Sequence, residues 1–217
     1  MTPARALEEG LRALPIALPA GAPTRLLAYL ALIEKWNRTH NLTAIRDPPG
    51  MVTHHLLDSL AVVPHLFDSP NARRLADIGS GAGLPGIPIA IACPDCHVTL
   101  NDANQKRAAF LRQATIELGL DNAAVHAGRA EAWRPEAGFQ IVISRAFSAL
   151  RDFVASCRHL VAPGGVLAAM KGVHPAEELA AVPASARCGE IRELRVPLLD
   201  EVRHLVLCRP DFAAEVS

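Results

Sequence analysis

The residues best suited to chemistry lie in one short stretch, where an apolar run ends at Asp77 and glycines follow at Gly79, Gly81, Gly83 and Gly86. Glycine permits positive φ angles and lets the backbone approach a ligand closely. The apolar segment after these glycines predicts a helix, whose first N–H groups would face the same ligand. The stretch therefore predicts a nucleotide-type site between a strand and a helix, with a purely structural turn as the alternative.

The spacing of these glycines argues against two other kinds of nucleotide site. Their alternation differs from the Gly-x-Gly-x-x-Gly pattern of dinucleotide-binding proteins. Gly81 and Gly86 have the spacing of a phosphate loop, but no Lys-Ser/Thr pair follows, which excludes a P-loop NTPase. The acid at Asp77 suits a ligand with an ammonium group or hydroxyls better than a pyrophosphate. The pattern resembles the first motif of S-adenosylmethionine-dependent methyltransferases.

Strand and helix patterns alternate along the rest of the chain. This alternation predicts an α/β fold with right-handed βαβ units and an open twisted sheet that has helices on both faces. Ligands of such folds bind outside the carboxyl ends of the strands, near the point where the strand order reverses. The predicted strands cover about residues 74–78, 97–102, 123–127, 139–144, 166–170, 191–196 and 204–209, and the last two are expected to pair antiparallel.

Several candidate ligand-binding residues follow the ends of these strands. Asp102 ends the second strand, where an acid can accept hydrogen bonds from both ribose hydroxyls, although Asn101 competes and Asp102 could instead cap the next helix. Ala130 and Glu131 follow the third strand, and their backbone groups could bind an adenine. Arg145 follows the buried fourth strand, needs a partner there, and could hold a carboxylate or phosphate through a bidentate fork.

The first 70 residues predict a separate helical extension, followed by the α/β domain at residues 71–217. Apolar positions at helical spacing predict a helix over 24–38, with Thr24 as its cap. A polar loop follows at residues 36–45, which is either a capped turn between helices or a surface that hydrogen-bonds planar groups. In the next predicted helix, His54 and Asp58 lie four residues apart and are expected to pair.

Composition limits the classes of function. Lysine and arginine number 22, as do aspartate and glutamate, so the net charge is zero. This balance argues against a strongly cationic, non-specific nucleic-acid binder but leaves room for a local basic face. No apolar run reaches the ~20 residues of a membrane span, and no signal-peptide core follows the N-terminus. We therefore expect a cytoplasmic protein without a membrane partner.

The five cysteines predict neither a disulfide framework nor a metal site. Cys93 and Cys96 precede His97 in the spacing of a c-type haem attachment site, but attachment would require export. A zinc site would need a second Cys or His pair at close spacing. We therefore expect reduced thiols at Cys93 and Cys96, and single cysteines at the remaining positions.

Further segments extend the likeness beyond the glycine loop. With them, the chain resembles the bacterial small-subunit ribosomal RNA guanine-N7 methyltransferases, the glucose-inhibited division protein B family. Their order and spacing are more specific than the loop alone, while the first ~25 residues carry no signal. The matching segments are residues 35–37, 41–45, 55–60, 77–88, 110–113, 143–147 and 170–172.

The resemblance implies a Rossmann-like class I S-adenosylmethionine methyltransferase fold, with a mostly parallel seven-stranded sheet and an N-terminal helical extension. It implies transfer of a methyl group from S-adenosylmethionine to N7 of one guanosine in 16S ribosomal RNA, by a protein expected to be a monomer. Carried over by position, Gly79, Leu84, Ala130, Glu131 and Arg145 bind the cofactor. The glycine motif and strand ends add Gly81, Asp77 and Asp102 to this set.

The implied chemistry needs no catalytic base and no metal, because guanine N7 carries a free lone pair. In-line transfer then depends mainly on proximity and orientation. N7 lies on the major-groove edge, which an RNA duplex hides from side chains, so we expect a loop, an unpaired base or an assembly intermediate as substrate. The residues expected to line the RNA side are Arg38, His40, Arg46, Lys171 and, shared with the cofactor, Arg145.

Three other functions stay open at this point. A methyltransferase of the same fold with another acceptor would explain the glycine loop but not the polar loop at residues 36–45. The glycine spacing disfavours a nicotinamide-dependent oxidoreductase, which a cofactor-binding titration would identify. A non-catalytic ribosome-assembly factor would bind RNA even without an intact glycine loop.

Overall fold

The computed structural model describes residues 1–67, 74–147, 149–182 and 186–211. Helices occupy the first 67 residues, and the sheet begins at Arg74. The predicted boundary between residues 70 and 71 lies outside the described residues. The helices are α1 Pro3–Ala13, α2 Ala22–His40, α3 Pro48–Met51, α4 Asp58–Leu60, α5 Val63–Leu66, α6 Gly86–Ala92, α7 Gln105–Glu117, α8 Leu150–Cys157 and α9 Ala176–Ala180.

Seven strands form one sheet in the order β3-β2-β1-β4-β5-β7-β6. The first five strands of the chain pair in parallel, and β7 pairs antiparallel with both β5 and β6. The predicted α/β sheet and its antiparallel final pair are therefore confirmed. The strands are β1 Arg74–Ile78, β2 His97–Asp102, β3 Ala123–Ala127, β4 Phe139–Ser144, β5 Val161–Lys171, β6 Ala186–Leu194 and β7 Arg203–Pro210.

Alternate residues of the central strands enter two hydrophobic clusters on opposite faces of the sheet. Leu75 of β1 packs in the cluster that contains α1, α2, α6 and α7. Its neighbour Ala76 packs in the other cluster, together with α8. Since side chains alternate between the two faces of a strand, both faces are covered by helices, as predicted. The N-terminal helices share a core with the sheet.

The chain order reverses between β1 and β4, which lie side by side at the centre of the sheet. After β1 the chain moves outward through β2 to β3, and it then returns to β4 on the other side of β1. The carboxyl ends of β1 and β4 therefore frame the crevice in which open α/β sheets bind ligands.

The N-terminal helices differ from the prediction in three details. α2 continues to His40, so residues 36–40 of the predicted polar loop are helical. Gly21, with φ of 78°, occupies the cap position of α2, so the prediction that Thr24 caps this helix is wrong. The predicted helix that carries His54 and Asp58 is interrupted by a π-helical segment, Val52–Leu57. None of the helices in the described part of the chain combines the length and apolar character that crossing a membrane requires.

Candidate functional site

The glycine loop adopts backbone angles that favour glycine at three positions. Gly79, Gly81 and Gly83 have φ angles of 69°, 59° and 89°. A Cβ atom on Gly83 would lie 2.4 Å from Cδ1 of Ile87, so this position also lacks room for a side chain. The N–H groups of Gly83 and Leu84 both donate to the carbonyl of Ser80, at 2.7 and 3.0 Å. The loop is therefore a tight turn that leads directly into α6.

Asp77 lies under this loop and is not among the residues that line the cavity above it. The residue is fully buried, and its Oδ2 accepts a hydrogen bond from the N–H of Gly86 at 2.9 Å. Its Oδ1 has no hydrogen-bond partner among the described residues. Burial raises the pKa of Asp77 to about 7, against the lowering effects of the Gly86 N–H, Ser80 and Arg145. The carboxylate that we expected to face a ligand thus supports the start of α6.

A cavity of about 190 Å³, here called the central cavity, opens above the glycine loop. One wall is formed by the glycine loop, the residues that directly follow β4 and the first turn of α7. The other wall is formed by the N-terminal helices and the loop after α2. Four predicted cofactor residues, Gly79, Gly81, Leu84 and Arg145, meet here. The lining residues are Leu42, Thr43, His55, Gly79, Ser80, Gly81, Ala82, Leu84, Arg107, Arg145 and Ala146.

Asp102 connects the end of β2 to the glycine loop. Its Oδ2 accepts from the N–H of Gly81 at 2.9 Å and lies 3.8 Å from Nη1 of Arg107. Its Oδ1 accepts from the N–H of Asn104 at 2.8 Å. Asn104 occupies the N-cap of α7 and accepts from the N–H groups of Lys106 and Arg107, so the alternative that Asp102 caps this helix is wrong.

Asn101, which the sequence offered only as a competitor of Asp102, has a different role. Its side chain is buried, and its amide nitrogen donates to the carbonyl oxygens of His126 and Gly128 at 3.2 and 2.8 Å. It therefore ties the end of β2 to the loop that follows β3. The available signal was a polar amide directly after the apolar Leu100, inside the predicted strand.

Ala130 and Glu131 begin a short 3₁₀ turn, Ala130–Ala132, within that loop. Ala130 is buried and Glu131 is exposed. The carbonyl of Glu131 accepts from Nη1 of Arg134 at 2.7 Å. Neither residue lines the central cavity, so the structure places this pair at the predicted strand end but does not bring it to the glycine loop.

Arg145 has a partner that the sequence analysis did not assign. Its Nη1 donates to the carbonyl of His54 at 2.9 Å and to Oδ2 of Asp58 at 3.0 Å. Asp58 also lies 3.6 Å from Nε of Arg203. The predicted pair between His54 and Asp58 is therefore replaced by ion pairs of Asp58 with two arginines. The signal for this role was the acid in the His55–Leu60 segment.

Side chains hold the N-terminal wall of the central cavity in place. Asn37 and the backbone of Thr43 exchange two hydrogen bonds, both of 3.0 Å. Oγ1 of Thr43 lies 2.9 Å from Nε2 of His55 and accepts from the N–H of Ile45. Burial, and then the charge of Arg145, lower the pKa of His55 to about 4. His55 is therefore neutral near pH 7.

The structure separates the residues predicted for the RNA side. Arg38 and Arg46 line one cavity of about 280 Å³, next to the Asn37 side chain. His40 packs against Trp36, with ring centroids 4.9 Å apart. Lys171 lies elsewhere and donates to Oε2 of Glu178 at 2.7 Å. Arg38 and Arg46 are thus brought together in one cavity, and Arg145 and Lys171 in a second of about 120 Å³, while Arg145 also lines the central cavity.

The cysteines do not form a metal site. Among residues 1–67, 74–147, 149–182 and 186–211, no group of three or more His, Cys, Asp or Glu side chains could hold a metal ion. Cys93 and Cys96 are free thiols. Cys188 and Cys208 face each other on β6 and β7 and form a disulfide, so the prediction of single cysteines is wrong for this pair.

Comparisons with known proteins give a consistent result. The family model described as GidB, rRNA small subunit methyltransferase G, matches residues 23–206. The chain is 56% identical over 200 residues to the ribosomal RNA small subunit methyltransferase G of Methylobacillus flagellatus, covering 92% of this chain and 95% of the relative. It is 51% identical over 216 residues to that of Nitrosospira multiformis, covering 96% and 98%.

Solved structures support the fold alone. The O-methyltransferase TomG of Streptomyces achromogenes, solved with S-adenosylmethionine, superimposes with a TM-score of 0.57 at 18% identity and covers 97% of this chain and 99% of its own. An O-methyltransferase of Bacillus cereus, solved with S-adenosylhomocysteine, gives a TM-score of 0.57 at 16% identity and covers 85% and 91%.

Proposed function

Because this chain belongs to the rRNA small subunit methyltransferase G family, we propose that it transfers a methyl group from S-adenosylmethionine to N7 of one guanosine in 16S ribosomal RNA. The observation that carries this proposal is the construction of the central cavity. One wall is the glycine loop, and the other is formed by Leu42, Thr43 and His55 from the N-terminal region. Donor and acceptor can therefore enter one cavity from different sides.

The residues of the glycine wall fit S-adenosylmethionine. Gly79 and Gly81 leave the backbone uncovered, which permits close approach of the ligand. Asp102 uses its two oxygens for one backbone N–H each, so lone pairs remain for ribose hydroxyls. Arg145 supplies a cation for the carboxylate of the methionine group.

The other residues assigned to the cofactor would act through apolar contact, through backbone groups or indirectly. Leu84 packs at the cavity wall, where it can contact the apolar part of the ligand. Ala130 and Glu131 would hydrogen-bond the adenine through backbone groups. Asp77 acts indirectly, by holding the start of α6 through the N–H of Gly86.

The chemistry required of the chain is alignment. S-adenosylmethionine, when bound, supplies a methyl group on a positively charged sulfur. Guanine N7 would form the new N–CH₃ bond with its own lone pair while the S–CH₃ bond breaks and S-adenosylhomocysteine leaves, so the residues of the cavity would not have to accept a proton. The neutral state of His55 agrees with this, since a protonated His55 would add a further positive charge to a cavity that Arg107 and Arg145 already line. The chain contributes proximity and orientation.

The RNA would approach along the N-terminal helices. Arg38 and Arg46 line a cavity next to Asn37, the residue that fixes Thr43 in the central cavity. Cations at this place can bind phosphates while the target base reaches the central cavity. We propose that residues 1–70 form this substrate-side extension and that residues 71–217 form the methyltransferase domain.

Two residues predicted for the RNA side, His40 and Lys171, already contact other side chains of the protein. His40 stacks on Trp36, which leaves it able to contact RNA only from the exposed end of α2. Lys171 is already engaged with Glu178 and would have to exchange this partner for a phosphate. We further propose that the protein acts as a monomer in the cytoplasm, where its ribosomal substrate is assembled.

The proposal is tested by methyl transfer from labelled S-adenosylmethionine to ribosomal RNA and small subunits from a strain that lacks this gene. Mass spectrometry of the product nucleosides should find N7-methylguanosine. Gly79→Asp should abolish the product, since Gly79 has positive φ and a Cβ there would lie 2.9 Å from Cβ of Ala146. Gly119→Asp is the matched control, because Gly119 also has positive φ but has no neighbour within 4 Å of the added Cβ.

The other outcomes separate the rival functions. Tight binding of S-adenosylmethionine without transfer to ribosomal RNA would indicate another methyl acceptor. RNA binding that survives in Gly79→Asp, without any methyl transfer by the unmodified protein, would indicate an assembly factor. Absence of S-adenosylmethionine binding would contradict the enzyme function altogether.

A further inference from the structure

Arg145 lies between two cavities. It lines the central cavity and also a smaller cavity of about 120 Å³. The smaller cavity is also lined by Asp58, Lys171 and Arg203. Arg145 is therefore placed so that one part of its guanidinium can be held from behind while another part faces a ligand.

The nitrogen Nη1 is fully used by the protein. It donates to the carbonyl of His54 and to Oδ2 of Asp58, so both of its hydrogens have acceptors. Within the described part of the chain, Nε and Nη2 of Arg145 donate no hydrogen bond to any other residue. These two nitrogens form one edge of the guanidinium, which matches the two oxygens of a carboxylate.

Asp58 is well suited to hold this arginine. The residue is 5% exposed, and its carboxylate lies between Arg145 and Arg203, at 3.0 and 3.6 Å. The π-helical segment Val52–Leu57 ends directly before it, and π turns are frequent at functional sites. The same segment supplies the His54 carbonyl. Both acceptors of Nη1 thus come from one short piece of the N-terminal region.

We propose that Asp58 is a positioning residue, which fixes Nη1 of Arg145 so that the Nε–Nη2 edge binds the carboxylate of S-adenosylmethionine. The inference rests on the proposed function, because it assumes that S-adenosylmethionine is the ligand of Arg145. It adds a residue from the N-terminal helices to the machinery that binds the cofactor. Arg203 shares the carboxylate of Asp58 from the β7 side and limits its movement.

The experiment compares two ligands in Asp58→Asn, which keeps the shape of the side chain and removes its charge. Dissociation constants are measured by calorimetry for S-adenosylmethionine and for its decarboxylated analogue. We expect about tenfold weaker binding of S-adenosylmethionine, the size of a lost charge-assisted hydrogen bond, and less than twofold change for the analogue. Glu190→Gln is the matched control, since it removes a carboxylate that is likewise paired with two arginines, Arg192 and Arg209, but lies on the edge strand β6, and it should change neither constant.

A second pair of variants guards against a purely structural effect. In an Arg145→Gln background, Asp58→Asn should cause no further loss of affinity, because the residue acts through Arg145. Asp58→Glu retains the charge and should recover part of the affinity if Asp58→Asn folds poorly. Equal losses for both ligands, or an undiminished loss in the Arg145→Gln background, would overturn the proposal.

The outcomes for the two proposals remain distinct. If the unmodified protein does not bind S-adenosylmethionine, the proposed function fails. If the unmodified protein binds it and Asp58→Asn binds it equally well, only the positioning role fails. If Asp58→Asn raises the KM for RNA alone, Arg145 serves a phosphate of the substrate and the positioning role toward the cofactor is wrong.

Discussion

The two walls of the central cavity are built by different means. The glycine wall is backbone, shaped by positive φ angles and held by hydrogen bonds to the carboxylates of Asp77 and Asp102. The N-terminal wall is held by side chains, above all Asn37 and His55. The difference teaches that backbone conformation alone can shape one wall of a cavity, whereas the opposite wall depends on hydrogen bonds between side chains that lie apart in the sequence.

One buried contact joins the two walls. The hydroxyl of Tyr29, in the middle of α2, donates to the carbonyl of Ala82 in the glycine loop. Burial raises the pKa of Tyr29 well above its usual range, so the hydroxyl stays protonated and remains a donor. The helix that leads toward Arg38 therefore also supports the glycine loop.

The largest effect is expected when the glycine wall is broken. In Gly86→Ala the new Cβ would lie 2.3 Å from Cδ2 of Leu100 and 2.7 Å from Oδ2 of Asp77. We expect about 1–3 kcal/mol lower stability and roughly 100-fold weaker binding of S-adenosylmethionine, because the carboxylate must move away from the Gly86 N–H. Thermal unfolding and calorimetry check this. Gly189→Ala, with open space around it, is the control.

Breaking the N-terminal wall should affect RNA more than the cofactor. Asn37→Ala removes both hydrogen bonds to Thr43, and we expect kcat/KM for RNA to fall roughly tenfold or more. Binding of S-adenosylmethionine should change less than about threefold, since the glycine wall remains. Thr39→Ala, an exposed change on the same helix, should alter neither value. If Asn37→Ala lowered the affinity for S-adenosylmethionine more than kcat/KM for RNA, the assignment of the two walls to different ligands would be wrong.

Charge reversal at Arg38 and Arg46 should weaken RNA binding without touching either wall. The slope of log K against log salt should decrease by about one for each arginine that contacts a phosphate. RNA affinity measured at several salt concentrations tests this expectation. Arg5→Glu with Arg25→Glu carries the same change in charge on exposed sites elsewhere and serves as the control. Unchanged methylation after reversal at residues 38 and 46 would show that RNA binds elsewhere.

The smallest effect is expected in the pH dependence of the stability of the unmodified protein. Asp77 beside the glycine wall and His55 in the N-terminal wall change the free energy of unfolding in opposite directions as pH changes. The pKa of Asp77 is raised to about 7, so its contribution to stability is lost as pH rises from about 4 to 7. The pKa of His55 is lowered to about 4, so its contribution is lost as pH falls from about 6.5 to 4. Over the shared range the two slopes have opposite signs and partly cancel.

Single variants should show separately how each residue makes the free energy of unfolding depend on pH. Asp77→Asn leaves the His55 slope, so the free energy of unfolding should rise with pH between about 4 and 6.5, relative to the unmodified protein. His55→Gln leaves the pH dependence caused by Asp77, so the free energy of unfolding should fall as pH rises from about 4 to 7, relative to the unmodified protein. Each slope is at most about 1.4 kcal/mol per pH unit. Urea unfolding at several pH values measures both, and slopes of equal sign would contradict the assignment.

Much of the fold could be predicted from the sequence, because its signals are local. Continuous apolar runs such as Ile141–Ile143 indicate buried parallel strands. The cap of α2 could not be assigned in this way, because Gly21 and Thr24 are both acceptable there and the structure selects the earlier residue. Likewise Cys188 and Cys208 meet only through the pairing of β6 with β7, which their spacing in the chain does not indicate.

The sequence by itself determined the glycine loop, the strand ends and the resemblance to a family, since each depends on residue types at short spacing. Only the tertiary structure decided which distant side chains meet. It placed Asp77 under the loop, drew Arg145 to Asp58 and separated Lys171 from Arg38 and Arg46. The physical reason is that a buried charge takes the partner that packing brings within reach, and packing joins residues that lie far apart along the chain.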